Sequence, residues 1–415
     1  MNFIKSSLLT GVATLIRIFS NLIITKIVAS YFGTSGMVLL GQLGNLVSFV
    51  RAISTGGVQQ GTVKLIAESE DEKKQHAVIS ASIQISIFFS AGIFLILIAF
   101  RKPLGNYFFL TQKYNYIFYA IAFSVVFYAV NIIFLSILNG KRQLKLFVVA
   151  TILANLVGFI ISLLFIYLFK IEGLLIAFSL NQSIAIISTI FLIKNERWFR
   201  WSVAFKKVDF SHFKKLFNYS FMALSSAILV PLLYILIRKL ILSKHGVDAA
   251  GYWEALIRIS SVFIIIMSTA YSTYLLPSFS ALKGKELSVE LFKIYKIVIP
   301  IAIVSALAIY LIKEYIVLFL YSDSFLPIVD FFKYQLIGDS IKIVTYVTAF
   351  LMIAKAKVGY YVLSECIQFA AYFGFSIYLV DDFGVEGVTM AYMYTAIISL
   401  GFQLLIFRKT LWVKN

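Results

Sequence analysis

Leu146–Ile193 reads LFVVATILANLVGFIISLLFIYLFKIEGLLIAFSLNQSIAIISTIFLI. Lys170 and Glu172 are its only charged residues, and they divide it into two apolar runs, 146–169 and 173–193. At about 1.5 Å rise per residue, ~20 apolar residues cross the hydrocarbon of a bilayer, so each run is long enough to be a membrane span. The same test carried toward the N-terminus finds 7–31, 37–65, 77–100 and 115–138. Beyond the quoted stretch lies a polar, basic segment. After it come 216–242, 250–279, 291–320, 328–354, 358–380 and 388–407. The pattern is six spans, a break, and six more. It predicts an all-α polytopic membrane protein with twelve transmembrane helices in two six-helix bundles, 1–193 and 216–415, joined by a basic linker over 194–215.

Composition requires the same solvent. Of 415 residues, 61% are hydrophobic and 13% charged, with a mean hydropathy of +0.93. A water-soluble chain of this length has no way to hide so much apolar surface. Lipid takes it on the outward faces, while helices satisfy their own backbone polar groups. A β-barrel would alternate in polarity over stretches of about ten residues, and no such stretches occur. Lys5 followed by Leu8–Ile16 has the outline of a signal peptide, but Arg17 interrupts it and no small-x-small cleavage site follows. It reads as a retained first helix. The single cysteine, Cys366, rules out an intramolecular disulfide.

Basic residues collect in alternate connections. Lys73 and Lys74, then Lys141, Arg142 and Lys145, Lys283 and Lys285, Lys355 and Lys357, and the tail Arg408, Lys409 and Lys414 fall on one side. The linker adds Lys194, Arg197, Arg200, Lys206, Lys207, Lys214 and Lys215. Phe32–Gly36, Tyr321–Pro327 and Asp381–Gly387, on the other side, contain no Lys or Arg; Arg101, Lys102 and Lys113 are the main exceptions. Positive-inside asymmetry places the linker and both termini in the cytoplasm. The net charge of +18 is thereby spread over one membrane face, and no nucleic-acid partner is expected. Aromatic residues between the linker cations (Trp198, Phe199, Trp201, Phe205) suit a segment in the headgroup layer, with membrane lipids as partners. Lys26, Ser30 and Gly33 recur in type and spacing as Lys239, Ser243 and Gly246, as a parallel internal repeat would require.

Ionisable groups inside the spans are the functional candidates, because each is costly in lipid. Arg17 and Arg51 lie at mid-depth with no acid within a turn. A guanidinium stays charged and presents a planar fork suited to phosphate oxygens. Together with Arg258 and Lys342 they are read as a cationic, substrate-binding cavity, with Gln59 and Gln60 as hydrogen-bonding groups for sugars. Helix–helix hydrogen bonding explains the two glutamines equally well, and Gly56, Gly57 and Gly61 read first as close packing. Glu254 with Arg258, and Asp339 with Lys342, are spaced to pair along one helix face. Asp339 and then Glu254 are the ion-coupling candidates. Lys26, Arg238 and Lys239 lie near helix ends, where long side chains snorkel. His76, His212 and His245 are scattered without metal-ligand spacing, and no phosphate-binding Walker loop occurs. No catalytic residue, metal or cofactor is expected, and the chain is read as a transporter rather than an enzyme.

Pro231-x-x-Tyr234-x-x-x-Arg238-Lys239-Leu240, Tyr274-Leu275-Leu276-Pro277 and Gln335-Leu336-Ile337-Gly338-Asp339-x-x-Lys342 followed by Ile353-Ala354-Lys355-Ala356 resemble the Wzx-type flippases. So does Gly57-x-x-x-Gly61-x-x-Lys64. The resemblance runs over the whole chain. It implies membership of the multidrug/oligosaccharidyl-lipid/polysaccharide (MOP) exporter superfamily and an undecaprenyl-pyrophosphate-linked glycan as substrate, an O-antigen or enterobacterial common antigen unit. It also implies a cavity between helices 1–6 and 7–12 that opens alternately to each side. A glycan polymerase and a chain-length regulator are the implied protein partners. A drug/cation antiporter of the same superfamily and a membrane glycan polymerase or ligase are the alternative readings.

Overall fold

The structure is a computed structural model that describes residues 3–109, 111–200, 206 and 208–411. Its long elements are helices: α1 (Phe3–Ser54), α2 (Gln59–Ala67), α3 (Glu72–Ala99), α4 (Arg101–Phe109), α5 (Tyr116–Gly140), α6 (Leu144–Ile193), α7 (Phe210–Ala281), α8 (Gly284–Leu311), α9 (Lys313–Leu320), α10 (Phe332–Ala354) and α11 (Val358–Leu411). Among the described residues, eight of them are long and apolar enough to cross a membrane.

Four of the eight are too long for one crossing, with apolar portions of 44, 50, 58 and 51 residues in α1, α6, α7 and α11. Each carries one residue with non-helical backbone: Gly33 (φ 58°), Lys170 (φ 53°), Gly246 (φ 79°) and Gly384 (φ 55°). The chain reverses at these points. Arg238 and Glu254 lie eight positions either side of Gly246 and form an ion pair. In a straight helix, sixteen residues would hold them ~24 Å apart. Tyr372 and Tyr392 likewise meet across Gly384, ring centres 5.5 Å apart, and Asn181 packs against Gly158 across Lys170. Eight helices with four reversals make twelve crossings, in the all-α polytopic fold of two six-helix bundles that the hydropathy implied.

The internal repeat extends well beyond three matched residues. Gly33 and Gly246 are 213 positions apart, and Lys170 and Gly384 are 214 apart. Arg142 (φ 57°) and Ala356 (φ 50°) also stand 214 apart, just past the ends of α5 and α10. The turns there close alike, with Gln143 N–H donating to the Leu138 carbonyl and Lys357 N–H to Met352, both at 2.9 Å. Two parallel copies of one six-crossing unit account for all three correspondences.

Three expected spans differ in detail. The run 37–65 is not one helix: α1 ends at Ser54, and Thr55–Val58 form a turn before α2. Gly56 and Gly57, read first as packing residues, have φ of 58° and 67°, which side chains rarely adopt. Packing matters as well, since a Cβ on Gly57 would lie 2.4 Å from the Leu224 side chain. The run 291–320 breaks at Ile312 between α8 and α9, and 328–354 opens with the 3-10 turn Asp323–Phe331.

By packing, the chain forms two compact units: the segment before Thr25 with Leu39–Leu232, and Thr25–Val38 with the chain from Leu233 onward. In the first, Ser82, Ser86 and Ser90 make a buried small-residue stripe on α3 that lets neighbouring backbone approach closely. Ser82 Oγ lies 2.7 Å from Thr62 Oγ1, and Ser86 Oγ donates to the Thr55 carbonyl at 3.4 Å, fixing both sides of the turn before α2. The beginning of the linker packs on this unit. Trp198 is buried against Phe134 and Phe199, and Gln143 joins Trp198 Nε1 (3.3 Å) to Glu196 (2.5 Å). In the second unit, Thr34 at the α1 reversal donates to Asp248 at 2.5 Å, and Lys26 Nζ donates to the Phe319 carbonyl at 2.6 Å.

Candidate functional site

Arg51 sits in the last turn of α1, three residues before the helix stops at Ser54. The stop follows from the two left-handed glycines, and local hydroxyls satisfy the freed carbonyls. Ser54 Oγ donates to Arg51 O at 2.9 Å and Thr55 Oγ1 to Ala52 O at 3.1 Å. A cation at a helix C-terminus also meets the negative end of the helix dipole. The Arg51 guanidinium lies 4.9 Å from the centre of the Tyr128 ring, a cation–π contact. Its Nε and one Nη are buried and have no hydrogen-bond partner. Orphaned guanidinium nitrogens of this kind mark a place for an acceptor.

The other candidates of the first unit stand apart from that arrangement. Arg17 is exposed and borders a small cavity of about 180 Å³ lined also by Thr14, Thr151 and Asn155. Gln59 donates to Thr55 Oγ1 at 3.3 Å, a local bond within the turn that opens α2 rather than one between helices, whereas Gln60 is exposed.

In the second unit Glu254 is held between two arginines. Arg258 Nε lies 2.8 Å from Glu254 Oε1, the expected pair one turn apart. Arg238 donates to Glu254 Oε2 from the other arm of α7. Arg238 was expected to snorkel; instead it is 1% exposed, with its guanidinium 5.4 Å from the Trp253 ring. Burying two cations with one carboxylate leaves the group at a net +1. Arg258, its side chain 22% exposed, presents that charge.

Asp339 is fully buried at the centre of a polar cluster. Its Oδ1 accepts from Ser260 Oγ (2.7 Å), Tyr392 O–H (2.9 Å) and Gln335 Nε2 (3.3 Å), while Oδ2 has no partner. The expected ion pair with Lys342 is absent. Lys342 Nζ lies instead 5.2 Å from the centre of the Tyr392 ring, whose hydroxyl is bound to Asp339. The spacing of three on one helix was right for contact, but Tyr392 offers the ammonium a ring face and the carboxylate a donor. Both are held through Tyr392 without meeting each other, and Asp339 Oδ2 stays unpartnered.

Sequence reasoning missed Arg238, Tyr128, Ser260 and Tyr392 as parts of these clusters. Only Arg238 carried a usable signal, its position mirroring Glu254 about Gly246. The other three come from crossings far away along the chain, and no local spacing announces them.

Twelve crossings in two repeated halves, with charged clusters inside the spans, define an α-helical polytopic membrane fold, and that fold is shared with solved transporters of the MOP superfamily. A multidrug resistance MATE transporter of that superfamily in an inward-facing conformation has a TM-score of 0.80 at 14% identity, covering 95% of each chain. The lipid II flippase MurJ in an inward closed conformation has a TM-score of 0.76 at 17% identity, covering 97% of this chain and 87% of that one. The chain belongs to the family described as polysaccharide biosynthesis protein, which matches residues 3–283. A lipid III flippase of Escherichia coli (strain K12) is 26% identical over 400 residues, 96% of each chain.

Proposed function

We propose that this protein is a flippase that moves an undecaprenyl-pyrophosphate-linked oligosaccharide, an O-antigen or related repeat unit, from the cytoplasmic to the periplasmic face of the bacterial inner membrane. The observation that carries the reading is Arg51, whose buried guanidinium has two unpartnered nitrogens beside a turn in a membrane span. A pyrophosphate supplies the acceptor oxygens that such a fork lacks. Arg17 and Arg258 supply further accessible positive charge along the headgroup's route, while the polyprenyl tail stays in lipid. Kinship with a protein named lipid III flippase supports the substrate class.

Transport proceeds by alternating access and draws on an ion gradient, since no ATP-binding loop is encoded. Asp339 is the coupling group of this proposal: it is buried, carries one unpartnered oxygen and contacts three donors that can re-orient when it changes charge. Glu254 is the weaker candidate, because both its oxygens are already paired with arginines. Both termini and the 194–215 linker lie in the cytoplasm, and a glycan polymerase and chain-length regulator take over the product on the far side.

A drug/cation antiporter is the second reading, favoured only by the shared fold. Binding separates the two. The purified protein in nanodiscs should retain a polyprenyl pyrophosphate and ignore tetraphenylphosphonium, and Arg51→Ala should weaken the retention at least tenfold. Saturable binding of the cation with none of the pyrophosphate lipid would assign the antiporter instead.

A further inference from the structure

An apolar groove of about 490 Å³ runs along the first unit, outside the clusters described above. Ile79, Ile83 and Ile87 of α3, Val130 and Phe134 of α5 and Ile187 of α6 form its walls, at the helical spacings that place them on one face of each helix. Trp198 and Phe199 close one end, where the linker begins, and Arg200 stands at that end. The closure is rigid, because Trp198 is buried and Gln143 ties it to Glu196. Arg200 is exposed and makes no ion pair among the described residues.

The groove therefore has the amphipathic shape of a lipid: hydrocarbon along its length and a single cation at its mouth. Lys194 and Arg197 are also exposed on the same short segment, and its one acid, Glu196, is bound to Gln143. The mouth is net positive and selects an anionic headgroup. Helix geometry separates this site from the transported substrate. Val126, Val130 and Phe134 face the groove from α5, whereas Tyr128, which contacts Arg51, points to the opposite side of that helix. A headgroup at Arg51 would leave its tail on the wrong face to enter here.

We propose that the groove binds one acyl chain of an anionic glycerophospholipid from the leaflet on the linker side, with its phosphate on Arg200. The bound lipid anchors the linker to the membrane and acts as a fixed component of the first bundle.

Native mass spectrometry of the detergent-purified protein, titrated with phosphatidylglycerol and phosphatidylcholine, tests this. The parent should retain phosphatidylglycerol preferentially. Arg200→Gln should lower its affinity roughly fivefold, the loss expected for one basic residue at a lipid surface. Ile187→Trp, at a position 68% exposed and safe for folding, should fill the groove and remove retention of both lipids. Equal retention of the two lipids by the parent would overturn the proposal, as would retention unchanged in both variants. Displacement of phosphatidylglycerol by a polyprenyl phosphate at substoichiometric concentration would reassign the groove to the substrate and overturn the phospholipid assignment. An Arg51→Ala protein that fails to bind polyprenyl pyrophosphate but keeps phosphatidylglycerol keeps the two sites apart experimentally.

Discussion

Buried Arg238 and Glu254 form a triad with half-buried Arg258, and its members depend on one another. Removing the central charge with Glu254→Gln takes from both arginines the carboxylate they share, at a cost of about 3–5 kcal/mol. Thermal unfolding in detergent should show a large fall in midpoint, and Arg238→Met added to Glu254→Gln should recover much of it. An unchanged midpoint in the single variant would mean that water or lipid headgroups solvate the triad. Asp339 differs from Glu254 in having hydroxyl and amide donors rather than a cation for company. Asp339→Asn keeps shape but fixes the neutral state. The account predicts transport that has lost its pH dependence, with lipid-linked substrate still bound. Parent-like pH dependence would move the coupling elsewhere. The sequence marked Arg51, Arg258 and Asp339 because charge in an apolar run stands out unaided. It did not disclose their partners Tyr128 and Tyr392, because one tyrosine of 24 in an apolar chain carries no such contrast.

At the scale of elements, the reversals carry the most physical content. Gly33, Gly246 and Gly384 adopt positive φ at no steric cost, but Lys170 occupies the equivalent place in α6 with a Cβ. A side-chain residue in such a region is strained by about 1–3 kcal/mol. Lys170→Gly should relieve that strain, less about 0.5–1 kcal/mol for glycine's extra unfolded freedom, and raise the unfolding midpoint slightly. Gly384→Ala, at the matching reversal of α11, should instead destabilise the protein by about 1–3 kcal/mol and lower the midpoint. Opposite signs at two equivalent reversals are the signature; a fall for Lys170→Gly would show that the lysine side chain stabilises its turn by contacts that outweigh the strain. Hydropathy revealed that two spans lay either side of Lys170 and Glu172. It concealed how tight the turn is, because a one-residue reversal within continuous helix leaves almost no polar gap. The break at Thr55–Val58 was hidden for the opposite reason. Its glycines sit inside an apolar run and look like helix-packing residues until their backbone angles are known.

For the whole molecule, the number of crossings and the division into two halves were legible because a bilayer imposes one length on every span. Membership of a repeat was visible only as three matched residues, since lipid-facing side chains drift freely while the backbone turns at fixed intervals. Sidedness rests on the basic asymmetry of the loops and has a direct test. Single cysteines at Ser35, Asp382 and Lys206, in a Cys366→Ser background, are exposed positions for a membrane-impermeant thiol reagent; Ser202, in the same linker as Lys206, lies outside the described residues. Ser35→Cys and Asp382→Cys should label from the periplasm, and Lys206→Cys only after the membrane is opened. Labelling of Lys206→Cys in intact spheroplasts would invert the topology.

The central claim is translocation of an anionic lipid-linked glycan through a pathway in which Arg51 meets the pyrophosphate. Purified protein in proteoliposomes containing a polyprenyl-pyrophosphate-linked oligosaccharide on both faces allows that to be measured as the fraction reached by an external glycosidase. With parent protein the accessible fraction should rise from about half toward completion as inner-leaflet substrate crosses. Arg51→Ala should stay at the level of protein-free liposomes, and Arg51→Lys should recover only part of the rate, lacking the bidentate fork. Parent vesicles that remain at half accessibility, or Arg51→Ala vesicles that reach completion as fast as the parent, would contradict the account.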